Sequence, residues 1–350
     1  FQNGHLNVAT GELLPHSSRY YTLHCLPHNY RPNEECPGWL HFLDQVFEGD
    51  KQCIGFLQQW FGYCLTPDTS LEKFLLLKGP PRAGKGTITT VLGEMLGSYN
   101  VATPRLRKLG REFGLFGLLG KLLALVPDAH LPRGDNSEIL ETLKAITGND
   151  NVDLERKHKQ SIDNVKLSTR IVISTNELPR FVDNTGAIAD RAIILPFFVS
   201  FRGREDSGLK ARLRSEVSGI TNWALEGLKM LRSENVFWIP DACKEQDEVF
   251  RHSLSTISGF VDVCCELGTD KSVVIDDVFE VYRNWCTSEG HFPVAKNQLL
   301  PKLQEVDPRI GSCRPRLEDG SRPRQYRGIA LTSEQINKLE ASRKGHYPLR

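Results

Sequence analysis

The amino-acid sequence predicts an α/β fold: alternating strands and helices over residues 71–200, a helical segment before them, and three helices with a ribbon after them. Three observations predict it. Residues 74–96, FLLLKGPPRAGKGTITTVLGEML, pass from a short apolar run through a glycine- and proline-rich segment into apolar residues at helical spacing (Ile88, Val91, Leu92, Met95), which is strand, loop, helix. Further apolar runs at 122–126, 171–175 and 192–198 recur with helical pattern at 136–147, as a buried sheet with crossover helices requires. From residue 255 the pattern changes to helices at 256–267, 276–289 and 294–305, then strand-like ends within 310–331 around Glu318, Asp319 and Gly320, which together suggest a winged helix.

Taken in order, residues 3–14 alternate polar and apolar around Thr10 and Gly11 and predict a hairpin. Residues 37–64 carry Trp39, Leu40, Leu43 and Phe47, then Ile54, Leu57, Trp60, Phe61 and Cys64, at the spacing of two packed helices, and these residues read as core. His24, Cys25, His28 and Cys36 could offer four zinc ligands, but their spacing matches no common zinc module. The core then occupies 71–200, a helical segment and linker 201–250, the winged-helix-like region 251–332, and a polar, frayed tail 333–350.

The loop at 79–87 carries the first chemistry. Backbone N–H groups of such a loop and the positive end of the following helix dipole favour phosphate oxygens, and the Lys85 side chain is long enough to reach the β- and γ-phosphates. The spacing Gly79-x4-Gly84-Lys85 is that of a Walker A loop. One position departs from it: Gly86 stands where Ser or Thr would hold Mg²⁺, and the hydroxyl follows at Thr87.

The apolar run 122–126 ends at Pro127 and Asp128, so that a buried strand delivers a carboxylate at its edge, as a Walker B element does. Ala129 stands where a second acid is usual, leaving Glu138 or Glu141 to supply it, or Asp128 to serve both roles. Residues 152–156 and 162–167 predict two strands with Lys157, His158 and Lys159 between them, a hairpin with a basic tip that on its own is equally a solvated turn. The run at 171–175 ends in Asn176, whose amide could orient an attacking water. Residues 208–232 predict an amphipathic helix or helix pair, with a break at 234–247 around Pro240. In the ribbon, Arg309, Arg314, Arg316, Arg322, Arg324 and Arg327 face only Glu318 and Asp319, an excess that suits phosphate-backbone contact or an ordinary charged hairpin.

Composition bounds the rest. With 39% hydrophobic and 25% charged residues and a net charge of +1, the chain has the make-up of an ordinary globular protein, and any nucleic-acid site must arise from local clustering. No apolar run approaches the roughly 18 residues of a membrane span. A secretory signal is not evident and nine scattered cysteines lack a CxxC pair, so the expectation is a cytoplasmic protein with reduced thiols and no membrane. The first residue is Phe1 rather than Met, which suggests that something precedes it.

In that order, GPPRAGKGT, LLALVPDA, VDLERKHK and IVISTNELPR resemble the superfamily 3 helicases, most closely the helicase part of satellite-phage, plasmid and poxvirus primase-helicases. The likeness runs from about residue 1 to 332: NGHLNVATGELLPHS is similar to the start of that family's N-terminal segment and GAIADRAIILPF to its final core strand. The resemblance implies an AAA+ type P-loop NTPase core assembled as a homo-hexamer that threads single-stranded DNA at a fork, with ATP and Mg²⁺ as cofactors. It implies that Gly79, Pro80, Pro81, Arg82, Ala83, Gly84, Lys85, Gly86 and Thr87 bind the ATP phosphates, that Thr87 and Asp128 hold Mg²⁺, and that Asn176 is the polar sensor. VDLERKH is similar to the DNA-translocating hairpin of polyomavirus large T antigen, which puts Lys157 and His158 at the tip facing the channel with Lys159 beside them. Arg191, fifteen residues beyond Asn176, takes the place of the arginine finger acting on a neighbouring subunit, with Arg180 as the second choice. Any primase activity would belong to a domain or partner upstream.

Two other readings stay open at this point. A DNA-binding initiator or loader with a degenerate nucleotide site fits the single Walker B acid. A nucleoside-monophosphate-kinase-like phosphotransferase fits GKGT but leaves the basic hairpin and the winged-helix region without a role.

Overall fold

A computed structural model of the chain describes residues 1–127, 136–178, 186–254, 256–289, 291–316 and 322–344. The chain divides into two compact units, one holding nearly all described residues up to Phe250 and the other those from Arg251 onward.

The first unit opens with an antiparallel pair, β1 (His5–Leu6) and β2 (Leu13–Leu14), and two helices, α1 (Pro37–Val46) and α2 (Lys51–Cys64). Asp50 ends the turn between the helices and caps α2, its carboxylate accepting from the N–H groups of Gln52 and Cys53. Then follow β3 (Phe74–Lys78), α3 (Lys85–Leu96), β4 (Val101–Ala102), the short α4 (Leu106–Leu109), β5 (Leu123–Val126), α5 (Ser137–Thr147), the hairpin β6 (Asn151–Arg156) and β7 (Lys159–Lys166), and β8 (Arg170–Thr175). The short α6 (Ala187–Arg191), β9 (Ala192–Pro196), α7 (Leu209–Ser215), α8 (Val217–Glu234) and α9 (Asp241–Leu254) complete the run.

Five strands form one parallel sheet in the order β4-β5-β8-β3-β9. Its central strands read as continuous apolar runs because both faces are covered: Leu75 and Leu77 of β3 pack with α1, α2, α3 and α8, while Phe74 and Leu76, which alternation sends to the other face, are equally buried. Trp39, Phe56, Trp60 and Phe61 are fully buried in this core. Arg170 enters this interior at the start of β8, its guanidinium over the Tyr63 ring and hydrogen-bonded to Thr66 Oγ1, Ser168 O and Asp68 O, so a buried cation is met by a π face and oxygens.

The second unit contains α10 (Thr256–Cys264), β10 (Cys265–Val274), α11 (Ile275–Glu289), α12 (Lys296–Val306), β11 (Gly311–Cys313), β12 (Gln325–Leu331) and α13 (Ser333–Lys344). Its sheet is antiparallel in the order β10-β12-β11, over a core that includes Phe260, Tyr282, Leu299 and Ile329.

Four expectations about elements are corrected. The helix expected over 256–267 stops at Cys264; residues 265–274 pair with β12, so the ribbon is three-stranded. The break expected over 234–247 is confined to the residues before Asp241, because the side chain of Gln52 receives the Asp241 N–H at 3.0 Å and starts a helix there. Residues 333–344 of the tail expected to fray form α13, with Leu339 buried and Arg343 paired to Asp277 and Glu280, and the rest of that tail lies outside the described residues. Lys159, expected in the hairpin turn, is the first residue of β7, and the turn is Lys157 and His158 alone.

All nine cysteines are free thiols, and burial pushes Cys36, Cys64 and Cys243 up to about 12. Of the four residues weighed as zinc ligands, His24 pairs with Asn100, His28 with Thr221, Cys36 is buried and Cys25 exposed. Among the described residues no helix is long and apolar enough to cross a membrane.

Candidate functional site

β3 ends at Lys78, and residues 79–84 turn the chain back into α3. Glycine is required twice in this loop. A Cβ at Gly79 would lie 2.5 Å from the Phe197 carbonyl oxygen, and Gly84 adopts a left-handed φ of +93° with Phe42 and Val46 of α1 packed against it. The N-terminus of α3, with its unsatisfied N–H groups, therefore opens into a cleft of about 1070 Å³.

Lys85 is only 8% exposed, yet it carries an ammonium that must be met by oxygens. Its Nζ donates to the carbonyls of Gly79 and Pro80, the latter at 2.8 Å, and to Asn176 Oδ1 at 3.1 Å. Parallel pairing explains how residues 91 positions apart meet. Lys78 of β3 lies opposite Thr175 of β8, so both strands end at the same edge and hand their next residues to the cleft.

Thr87 lines the same cleft, its N–H bonded to Gly84 O at 3.0 Å. Pro81, Arg82, Ala83 and Gly86 line it as well, and Pro127 brings the end of β5 to its edge. Asp128, the expected carboxylate, lies outside the described residues, as does Arg180. Glu138 and Glu141 are exposed on α5 and do not line the cleft.

The opposite walls were not foreseen. Gly38, His41, Phe42 and Gln45 present one face of α1, and Phe201, Arg204, Leu209, Lys210 and Leu213 present the segment leading into α7. Glu216 ties these walls together by accepting from the N–H groups of Gly38 at 3.0 Å and Trp39 at 2.9 Å, which caps α1 from across the cleft. No local signal marks these positions: the helical spacing of α1 announces a core face, and its polar remainder is indistinguishable from a solvated one.

Arg191 ends α6 and is not among the cleft residues. Its Nη1 donates to Ala187 O at 3.2 Å and its Nη2 stands 3.7 Å from Glu72. Lys157 and His158 form the exposed tip of the β6–β7 hairpin, His158 in the left-handed region with φ of +58°. The one-turn helix Phe116–Leu118 packs against β6, and the segment leading to it exposes Arg105, Arg107, Lys108, Arg111, Phe113 and Phe116. This basic and aromatic stretch also escaped the reading of the sequence, although its alternation of Arg/Lys with Phe was there to be seen.

In the second unit, Arg314, Arg316, Arg322 and Arg324 flank β11 and β12 and Arg327 lies within β12, and all five are exposed. Arg309 differs: its guanidinium forks onto the Asp307 carboxylate, at 2.7 Å for Nη2, and holds that carboxyl below the usual range.

Comparison with known proteins adds three findings. Residues 77–191 match the model of a family of unknown function, DUF5906, and residues 1–48 match a D5 N terminal like model. An uncharacterized mitochondrial protein, ymf21, of Marchantia polymorpha is 27% identical over 101 residues, which is 29% of this chain; the match spans 56% of that relative's length. Two solved apo structures of the NrS-1 C terminal region share the fold, with TM-scores of 0.54 and 0.52 at 12% and 11% identity, each covering 86% of this chain and 78% of the other. The likeness to these two structures shows the mixed α/β fold of this chain, with its parallel five-stranded sheet.

Proposed function

We propose that this chain is an ATP-dependent DNA helicase of the superfamily 3, AAA+ type, the C-terminal part of a primase-helicase that replicates a phage, plasmid or integrated element in the bacterial cytosol. One observation carries the reading: a P-loop-like turn between β3 and α3 delivers a buried lysine, and the neighbouring strand delivers Asn176 onto it.

The residues fit a triphosphate. Lys85 is already surrounded by oxygens, so a phosphate oxygen would replace the carbonyls of Gly79 and Pro80 at little cost in charge. N–H groups of residues 83–86 and the α3 dipole would hold the β- and γ-phosphates, and Asn176 would orient the attacking water. Thr87 and Asp128 would hold Mg²⁺, which when bound would supply positive charge against that developing on the phosphates. Arg191 would act in trans, on the nucleotide bound by the next subunit of a hexamer; fingers of this kind accelerate phosphoryl transfer by about 10³ to 10⁵.

Single-stranded DNA would contact the Lys157/His158 tip, with Phe113 and Phe116 offering faces for bases and the nearby arginines meeting phosphates. The arginines flanking β11 and β12 would hold duplex at the fork, on a region read as a winged helix. ATP turnover with and without single-stranded DNA tests the whole reading. We expect stimulated turnover that Lys85→Ala abolishes; absence of stimulation in the wild type would favour an initiator or loader.

A further inference from the structure

We infer that Gln45 of α1 reads the base of the nucleotide and makes the site selective for adenine over guanine, an inference that rests on the triphosphate reading of the cleft. The cleft is larger than a phosphate loop needs, and the volume beyond residues 79–87 lies between two walls of different character. One wall is mixed: Phe201, Leu209 and Leu213 give it apolar surface that suits the face of a planar ring, among Arg204, Asp206 and Lys210, with the Arg204 guanidinium over the Phe201 ring. The other is α1, the helix that closes the D5 N terminal like match.

α1 cannot drift away from the loop. Phe42 and Val46 pack against Gly84 at one end of the helix, and Glu216 binds the first turn from the far wall at the other. The spacing between the walls is thereby set at two points, which makes a slot. On the rim of that slot, His41 and Gln45 stand one helical turn apart, both exposed, and neither has a hydrogen-bond or ion-pair partner among the described residues.

A glutamine amide offers one donor next to one acceptor. Adenine presents the matching pair, the N6 amino group beside N7, whereas guanine presents two acceptors, O6 and N7, and would leave the Gln45 carbonyl oxygen opposed by another acceptor. An unmatched polar group in a confined site is what produces discrimination. His41, on the same face, is placed to meet the ribose or the base edge.

The test is equilibrium binding of ATP, GTP and inorganic tripolyphosphate, each with Mg²⁺, to the full chain and to its Gln45→Ala, Gln45→Arg and Lys85→Ala variants. The wild type is expected to favour ATP over GTP by about tenfold. Gln45→Ala should bring the two within about twofold of each other and leave tripolyphosphate unchanged, and Gln45→Arg, with two donors for O6 and N7, should turn the preference toward GTP. If tripolyphosphate binds and Lys85→Ala abolishes that binding while Gln45→Ala leaves the ATP/GTP ratio untouched, the base assignment falls and the phosphate site stands. If the wild type binds none of the three ligands, both fall.

Discussion

A buried ammonium such as that of Lys85 persists only where oxygens replace its water, and here the loop's own carbonyls and Asn176 do so. Asn176→Ala should therefore raise the concentration of ATP needed for half-maximal turnover less than it lowers turnover itself, since the lysine keeps two carbonyl partners while the water loses its orienting amide; steady-state kinetics would show it. His28 supplies a different kind of test. Burial above all lowers its pKa to about 4, and its Nε2 pairs with Thr221 Oγ1 at 2.9 Å. The folded chain thus keeps His28 neutral where the unfolded chain, near 6.5, takes up a proton. Stability present above about pH 6.5 is lost as pH falls toward 4. His28→Gln should flatten the fall in Tm between about pH 7.5 and pH 5, measured by thermal unfolding at both values; an unchanged slope would place the titration elsewhere.

At the scale of elements, the proposed DNA contacts of the hairpin and of the basic-aromatic segment beside it should be separable. Replacing Lys157 and His158 together by alanine should weaken single-stranded DNA binding and lower the salt slope by about 0.7 for each phosphate that is no longer neutralised. Phe116→Ala should weaken it by about 1–3 kcal/mol with little change in that slope, because stacking releases no counterion. Titrations at several salt concentrations distinguish the two; equal salt slopes in both variants would mean that the tip does not touch phosphates. The elements themselves were largely legible. Strands β3, β5, β8 and β9 and helices α3, α5 and α8 announced themselves through apolar runs and helical spacing. β10 did not, because GTDKSVV carries no strong strand pattern and is held by its long pairing with β12.

For the whole molecule the decisive matter is assembly. Arg191 stands outside the cleft of its own chain, beside Ala187 and Glu72, which suits the proposed role on a neighbour's nucleotide. Lys85→Ala and Arg191→Ala should each be inactive alone, and an equimolar mixture should recover roughly a quarter of wild-type turnover, the chance that an intact lysine faces an intact arginine across a subunit boundary. Full turnover of Arg191→Ala by itself would exclude the arginine from the reaction.

The sequence by itself determined the α/β class, the place of the glycine loop and its lysine, the strand ending at Asn176 and the basic hairpin, because each is a local pattern: a run, a period or a turn whose geometry a few neighbouring residues dictate. Only the tertiary structure decided that Asn176 touches Lys85, that Glu216 caps α1, and that His41, Gln45, Phe201 and Lys210 share a cleft with the loop. Those are meetings between residues up to 178 positions apart, fixed by strand order and helix packing, and a polar residue on the outer face of a helix has the same sequence signature whether it faces water or a ligand.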